Sequence, residues 1–297
     1  LVFISLVIWK ILKYSNTPVH VRWELYPVAH ELNKYGGSYY EETNWWQKKR
    51  KKNRFAEFWA MFEEIIFLKG VYIHNKKLWF FSFPFHFGLY LIIGTFALIL
   101  LSAILNIASV TGISNSDDNM VKYLHYLIEF FGYVGLTLVF IGSVGLLIQR
   151  ATNKKFKFYN SPMDYINLVF ILVLVISISL TLIQSNHAFN ASKEYVINLI
   201  TFDFNNIFDI AFIIHIILIS LFFLYFPITR MMHVFAKYFT YHNVRWEDEP
   251  NIKGGKLEKK IKKALNFGVS WSAPHMKTGK TWAEVATTIP EEKKNEK

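Results

Sequence analysis

The sequence predicts an all-α integral membrane protein: a bundle of five transmembrane helices, the first one truncated, with a cytoplasmic amphipathic loop and tail. Three observations predict it. Residues 78–110, 124–148, 165–183 and 207–226 are long apolar runs almost free of charge, and about 20 apolar residues suffice to cross the hydrocarbon core. The 33 Lys and Arg residues crowd into the gaps between those runs. Cysteine is absent from all 297 residues, which excludes a disulfide scaffold, Cys-held iron–sulfur clusters, CxxCH haem attachment and thiol catalysis. Any redox chemistry must therefore use another kind of cofactor.

The elements follow in order. Residues 1–9 (LVFISLVIW) are apolar but half the length of a span. They are read as the end of a first helix, closing at residue 14, whose beginning lies outside the sequence. A signal-peptide remnant fits less well, because no small-residue cleavage site follows. Residues 15–77 form a basic loop, residues 78–233 a four-helix membrane domain, and residues 234–297 a tail. With Lys10 placed on the cytoplasmic side, that face carries 31 Lys and Arg, and the opposite face only Lys122 and Lys193. Positive residues favour the cytoplasmic side, so the N-terminus is expected outside and the C-terminus inside, across a cytoplasmic (inner) membrane.

Two cytoplasmic stretches are too long for connectors. In the loop, Trp45-Trp46 precede the run Lys48-Lys49-Arg50-Lys51-Lys52, and Phe55, Phe58, Trp59, Phe62, Ile65 and Ile66 then recur at helical spacing. Such a helix suits the headgroup layer or a docked partner. In the tail, Gly254-Gly255 reads as a hinge before a Lys/Glu-rich helix over 256–265. Trp271, Pro274 and Trp282 suit extended contact with another subunit; a solvated tail is the plainer reading.

Ionisable side chains inside spans are costly and mark function by default. His86, His125, His215 and His233 fall in or at the ends of the apolar runs, while His20, His30, His74, His187, His242 and His275 lie in loops or the tail. A single such histidine can equally bond a neighbouring helix. His215 and His233, however, are 18 residues apart. On one continuous helix that is five turns, about 27 Å, with both rings on one side. Two imidazoles so placed suit a cytochrome with two haems, each haem taking a second histidine from a facing helix.

Phe85-His86-x-Gly88, the His215…His233 pair and Phe226-Pro227-x-Thr229-Arg230-x-x-His233 together resemble the gamma-subunit-type cytochrome b of respiratory nitrate reductase. The likeness covers roughly residues 79–235. The loop and tail look more like the related cytochromes b of heterodisulfide-reductase-like complexes of sulfate reducers. The resemblance implies haem b as cofactor, with an inner haem between His86 and His233. The family's outer-haem histidine falls ten residues after His86, where this chain has Phe96. Arg230 and Arg150 would face haem carboxylates, or else anchor the spans as ordinary positive-inside residues. Lys122 matches a family lysine that helps bind quinol, or stands there by chance. Glu129, one turn beyond His125, either accepts a quinol proton or bonds across helices.

The departure at Phe96 suggests a different outer pair. His125 and His215 lie at similar depth from the outer side, and are expected as axial ligands of an outer haem beside a quinone site at Lys122 and Glu129. The alternative is a single haem. The function expected is therefore a membrane cytochrome b subunit of a quinone-linked oxidoreductase complex. It would carry electrons between quinone or menaquinone and a cytoplasmic iron–sulfur partner, since nothing in the chain carries them further. Membrane lipid, not nucleic acid, is the other expected partner. A proton or ion transporter would need mid-membrane acids and helix breaks in several spans, whereas Pro84 is the single span proline and the span acids Glu129 and Asp209 lie toward the ends. A haem-free membrane anchor would leave the histidine spacing unexplained.

Overall fold

The structure, a computed structural model, describes residues 1–16, 28–29, 31, 38–49, 52–110, 118–154, 160–184, 189–242, 246, 251–273, 276 and 278–288. Arg50, Lys51, His20, His30, His187, His275 and Pro274, singled out above, lie outside these residues. Among the described residues every named element is helical, apart from three isolated bridges. The chain divides into two units, one formed by Asn53–Phe223 and one by Leu1–Lys52 with Leu224–Lys297.

The Asn53–Phe223 unit holds helices α2 (Arg54–Ile66), α3 (Lys69–His74), α4 (Lys76–Val110), α5 (Asp118–Thr152), α6 (Pro162–Gln184) and α7 (Asn190–Thr201), and most of α8 (Ile210–Tyr225). Among the described residues, four helical stretches are long and apolar enough to cross a membrane: Lys76–Val110, Asn119–Thr152, Pro162–Gln184 and Ile210–Ile228. These match the four apolar runs. Asn75 caps α4, its Oδ1 accepting the Leu78 N–H at 3.0 Å.

The α4–α5 pair is the most extensive packing in this unit, and glycine makes it close. A Cβ added at Gly88 would lie 2.8 Å from the Gly135 carbonyl oxygen, and one at Gly142 would lie 2.6 Å from the Phe85 backbone nitrogen. Small residues let helix backbones approach in this way where lipid supplies no hydrophobic drive. Ile99 of α4, Leu124 and Ile128 of α5 and Phe189 before α7 form a buried cluster where α4 ends and α5 begins. Helix α7 was not expected in the loop over 184–206. Its own composition is only weakly apolar, and it is held because Phe189 and Val196 pack into that cluster.

In the other unit, α1 (Val2–Ser15) is 14 residues long, about 21 Å, shorter than the hydrocarbon core. Phe3 of α1 packs edge-on against Phe226 at 5.9 Å. The helix expected to run on to His233 instead stops at Tyr225. Two 3-10 turns, Phe226–Ile228 and Arg230–Met232, follow, with Thr229 extended between them (φ −108°, ψ 176°). Pro227 has no N–H to give and its ring crowds the preceding turn, while the Thr229 hydroxyl accepts the Met231 N–H at 3.3 Å and starts the next turn. The five-turn stacking of His215 over His233 is thereby corrected. Helix α9 (His233–Lys237) and a π-helical turn (Tyr238–His242) follow. The tail holds α10 (Lys256–Leu265), within the range expected, and α11 (Trp282–Thr287).

Candidate functional site

A histidine on a helix reaches the carbonyl one turn back, and two of the four candidates do this. In α4 the His86 Nδ1 lies 2.7 Å from the Ser82 carbonyl oxygen, so Nδ1–H donates and the lone pair sits on Nε2. At the start of α9 the His233 Nδ1 lies 3.0 Å from the Arg230 carbonyl oxygen, which fixes the same tautomer. His86 is half-buried and His233 exposed.

His215 arrives at this tautomer by a longer route. It is buried in α8, and its Nδ1 lies 2.8 Å from the Ser177 hydroxyl of α6. That hydroxyl donates to the Leu174 carbonyl at 2.8 Å, so it accepts the imidazole N–H and again leaves the lone pair on Nε2. A second contact between the same helices is the Phe170–Phe222 ring pair at 5.6 Å. Sequence reasoning did not single out Ser177. The available signal was only its place among three hydroxyls, Ser177, Ser179 and Thr181, in a largely apolar run.

His125 is different. Its Nε2, the atom an axial ligand would present, lies 3.3 Å from the Glu129 carboxylate one turn on. Both side chains are about a third or more exposed, and Lys122 is exposed as well. The structure therefore brings His125 and Glu129 together within α5. Leu124 and Ile128, beside them, face the buried cluster.

The two arginines are placed unequally. Arg150 closes the connection between α5 and α6: its Nη1 donates to the Asp164 carbonyl at 2.6 Å, and its own carbonyl accepts the Tyr165 hydroxyl at 3.0 Å. That is a structural tie at a helix junction. Arg230 is exposed and lends its carbonyl to His233. Phe96, where an outer histidine stands in the family, is 57% exposed and points away from the bundle.

The donor set suits haem iron. Iron in a b-type site takes neutral imidazole nitrogen, and a ligating histidine characteristically gives its other N–H to a carbonyl or comparable oxygen. His86, His215 and His233 all meet that condition. Four apolar helices make the chain a multi-pass membrane protein. No curated protein and no solved structure gives a significant match to this chain. The family model for the nitrate reductase gamma subunit matches residues 71–247, which include His86, His125, His215 and His233, and the chain belongs to that family of membrane cytochromes b.

Proposed function

We propose that this chain is the cytochrome b subunit of a quinone-linked oxidoreductase complex in a cytoplasmic membrane, its N-terminus outside and its tail inside. Electrons would pass between membrane quinone and a cytoplasmic iron–sulfur subunit of heterodisulfide-reductase-like or similar type. The observation that carries the reading is the shared tautomer of His86, His215 and His233 inside the matched family region. Bound haem b supplies a one-electron carrier that no side chain of this chain can replace.

The residues divide the work. His86 and His233 are assigned to one haem by the family resemblance, their backbone carbonyl partners holding each ring in the ligating tautomer. His215 is assigned to a second, oriented by Ser177. Arg230 is the basic residue assigned to a haem carboxylate, whereas Arg150 is engaged at the α5–α6 junction. Lys122 and Glu129 line the proposed quinone site. His125 was assigned as the outer partner of His215, and that role requires its ring to leave Glu129.

A second reading of His125 is favoured by the 3.3 Å contact to Glu129. An imidazole against a carboxylate is a proton-accepting pair, and quinol oxidation releases protons. Haem content separates the two roles. Loss of one haem in His125→Ala supports ligation, and full haem with slowed reduction by quinol supports proton transfer.

The function itself is tested by mixing the oxidised, purified chain in lipid nanodiscs with a menaquinol analogue and following the haem absorption bands. Reduction that slows in Glu129→Gln and Lys122→Ala is expected. A haem that dithionite reduces but no quinol does would overturn the quinone assignment.

A further inference from the structure

We propose that α2 and α3 form an interfacial element that lies in the headgroup layer, its aromatic face in lipid and its basic residues against anionic phospholipid. This rests on the membrane spans alone and is independent of the haem assignments.

The first observation is the face itself. Phe55, Phe58, Trp59 and Ile65 recur at helical spacing along α2 and are 72%, 58%, 50% and 42% exposed. The acids of the same helix are engaged elsewhere. Glu57 pairs with Arg54 at 3.1 Å, Glu63 pairs with Lys69, and Glu64 accepts the Gly70 N–H at 2.7 Å. The carboxylates are thus compensated locally and do not set the helix against an anionic surface.

The second observation fixes the depth. The Trp79 indole N–H donates to the Phe67 carbonyl at 2.7 Å, and the Tyr90 hydroxyl donates to the Ile65 carbonyl at 2.9 Å. Trp79 and Tyr90 both belong to α4, a span, and stand about 16 Å apart along it. The C-terminal end of α2 is therefore tied beside the opening turns of a membrane helix, with Tyr90 well inside its charge-free run. A side chain exposed at that level meets lipid, not bulk water.

The third observation is continuity. Ring contacts lead from Phe58 to Phe62 at 6.4 Å and from Phe62 to Phe67 at 6.1 Å. After the Trp79–Phe67 hydrogen bond they resume along the span, Trp79 to Phe83 at 4.8 Å and Phe83 to Phe87 at 5.5 Å. The aromatic surface of α2 is thus joined, through that one hydrogen bond to the Phe67 carbonyl, to an aromatic row on a span, and aromatic residues concentrate at membrane interfaces. Lys69, Lys76 and Lys77 are exposed at the same junction, and in sequence the run Lys48–Lys52 ends just before the α2 cap at Asn53. Basic residues beside an amphipathic helix are the pattern that anionic lipid recognises.

The chain has no cysteine, so single-cysteine variants carry a spin label at one position only. Phe58→Cys, Phe55→Cys and, as a water-exposed reference in the tail helix α10, Lys259→Cys are made in the full chain, labelled, and reconstituted in vesicles of phosphatidylglycerol and phosphatidylcholine. Collision with oxygen, which partitions into lipid, is compared with collision with a water-soluble nickel chelate. Oxygen should dominate at positions 55 and 58 and nickel at position 259. Nickel access at 55 and 58 equal to that at 259 would overturn the proposal, because the face would then stand in water and await a protein partner. In pure phosphatidylcholine the labels at 55 and 58 should shift toward nickel. Unchanged depth there would remove the anionic headgroup from the proposal.

Discussion

Imidazole gives iron one nitrogen and needs the other one held, so a ligating histidine can be tested through its non-ligating atom. Ser177 is the clearest case. It is buried, it belongs to a different helix from His215, and its hydroxyl accepts the His215 N–H while donating to Leu174. Ser177→Ala removes the acceptor and leaves the ring free to rotate or change tautomer. Partners of this kind are worth roughly 10–100-fold in metal affinity. Haem retention on dilution of the purified variant should fall by about tenfold or more, with a shift of the low-spin EPR signal. A variant with wild-type retention and spectrum would show that Ser177 is only a helix contact. Two of the three Nδ1 partners were within reach of the sequence, because a helical histidine meets the carbonyl three or four residues back. Ser177 is 38 residues from His215, and no periodicity reports a contact of that range. His125 also passed as an ordinary candidate in sequence. The i,i+4 spacing to Glu129 was visible, but not that the carboxylate takes up Nε2 itself.

Among the elements, the α4–α5 pair depends most directly on what is missing from its side chains. Gly142→Ala places a Cβ 2.6 Å from the Phe85 backbone nitrogen, one residue before His86. Overpacking of this kind costs about 1–3 kcal/mol. Thermal unfolding in detergent should show that loss, whereas Gly268→Ala, with nothing within 4 Å of its added Cβ, should leave this pair's stability unchanged. The tail elements respond to pH instead. Glu258 accepts the Gly254 N–H at 2.6 Å and pairs with Lys262; Glu284 accepts the Thr281 N–H at 2.6 Å in a capping box. These bonds, the backbone one first in each case, hold both carboxyls below the ordinary carboxylate range. A depressed carboxyl adds stability that is present above its unfolded pKa and is lost as pH falls through the folded one. Protection of the Gly254 and Thr281 amides, measured relative to their intrinsic exchange rates, should therefore be full near neutrality and be lost as pH falls through the depressed carboxyl pKa values. Glu284→Gln should abolish that pH dependence at Thr281, and an unchanged profile would refute the cap. The spans themselves were legible because lipid demands long uncharged runs. The break after Tyr225 was obscured because the same apolar run continues through Pro227, and hydropathy does not register a missing N–H. Helix α7 was hidden because burial against Ile99, Leu124 and Ile128, not its own composition, stabilises it.

At the scale of the molecule, the chain joins a membrane domain to basic segments, which are proposed to lie in the cytoplasm and to hold an iron–sulfur subunit. The tail elements α10 and α11 pack on each other, and residue 243 follows the last turn after His233. Deletion of residues 243–297 should release the partner in a pull-down and leave the visible spectrum of the membrane domain intact. A complex that stays assembled would place docking elsewhere. The central claim, that histidines of this chain hold haem, is tested most directly by counting haem per chain as the pyridine haemochrome in purified wild type and His86→Ala. Two b haems falling to one is the expected result, and one falling to none would keep the His86 site while removing the second. Wild type without haem, or an unchanged count in His86→Ala, would contradict the claim.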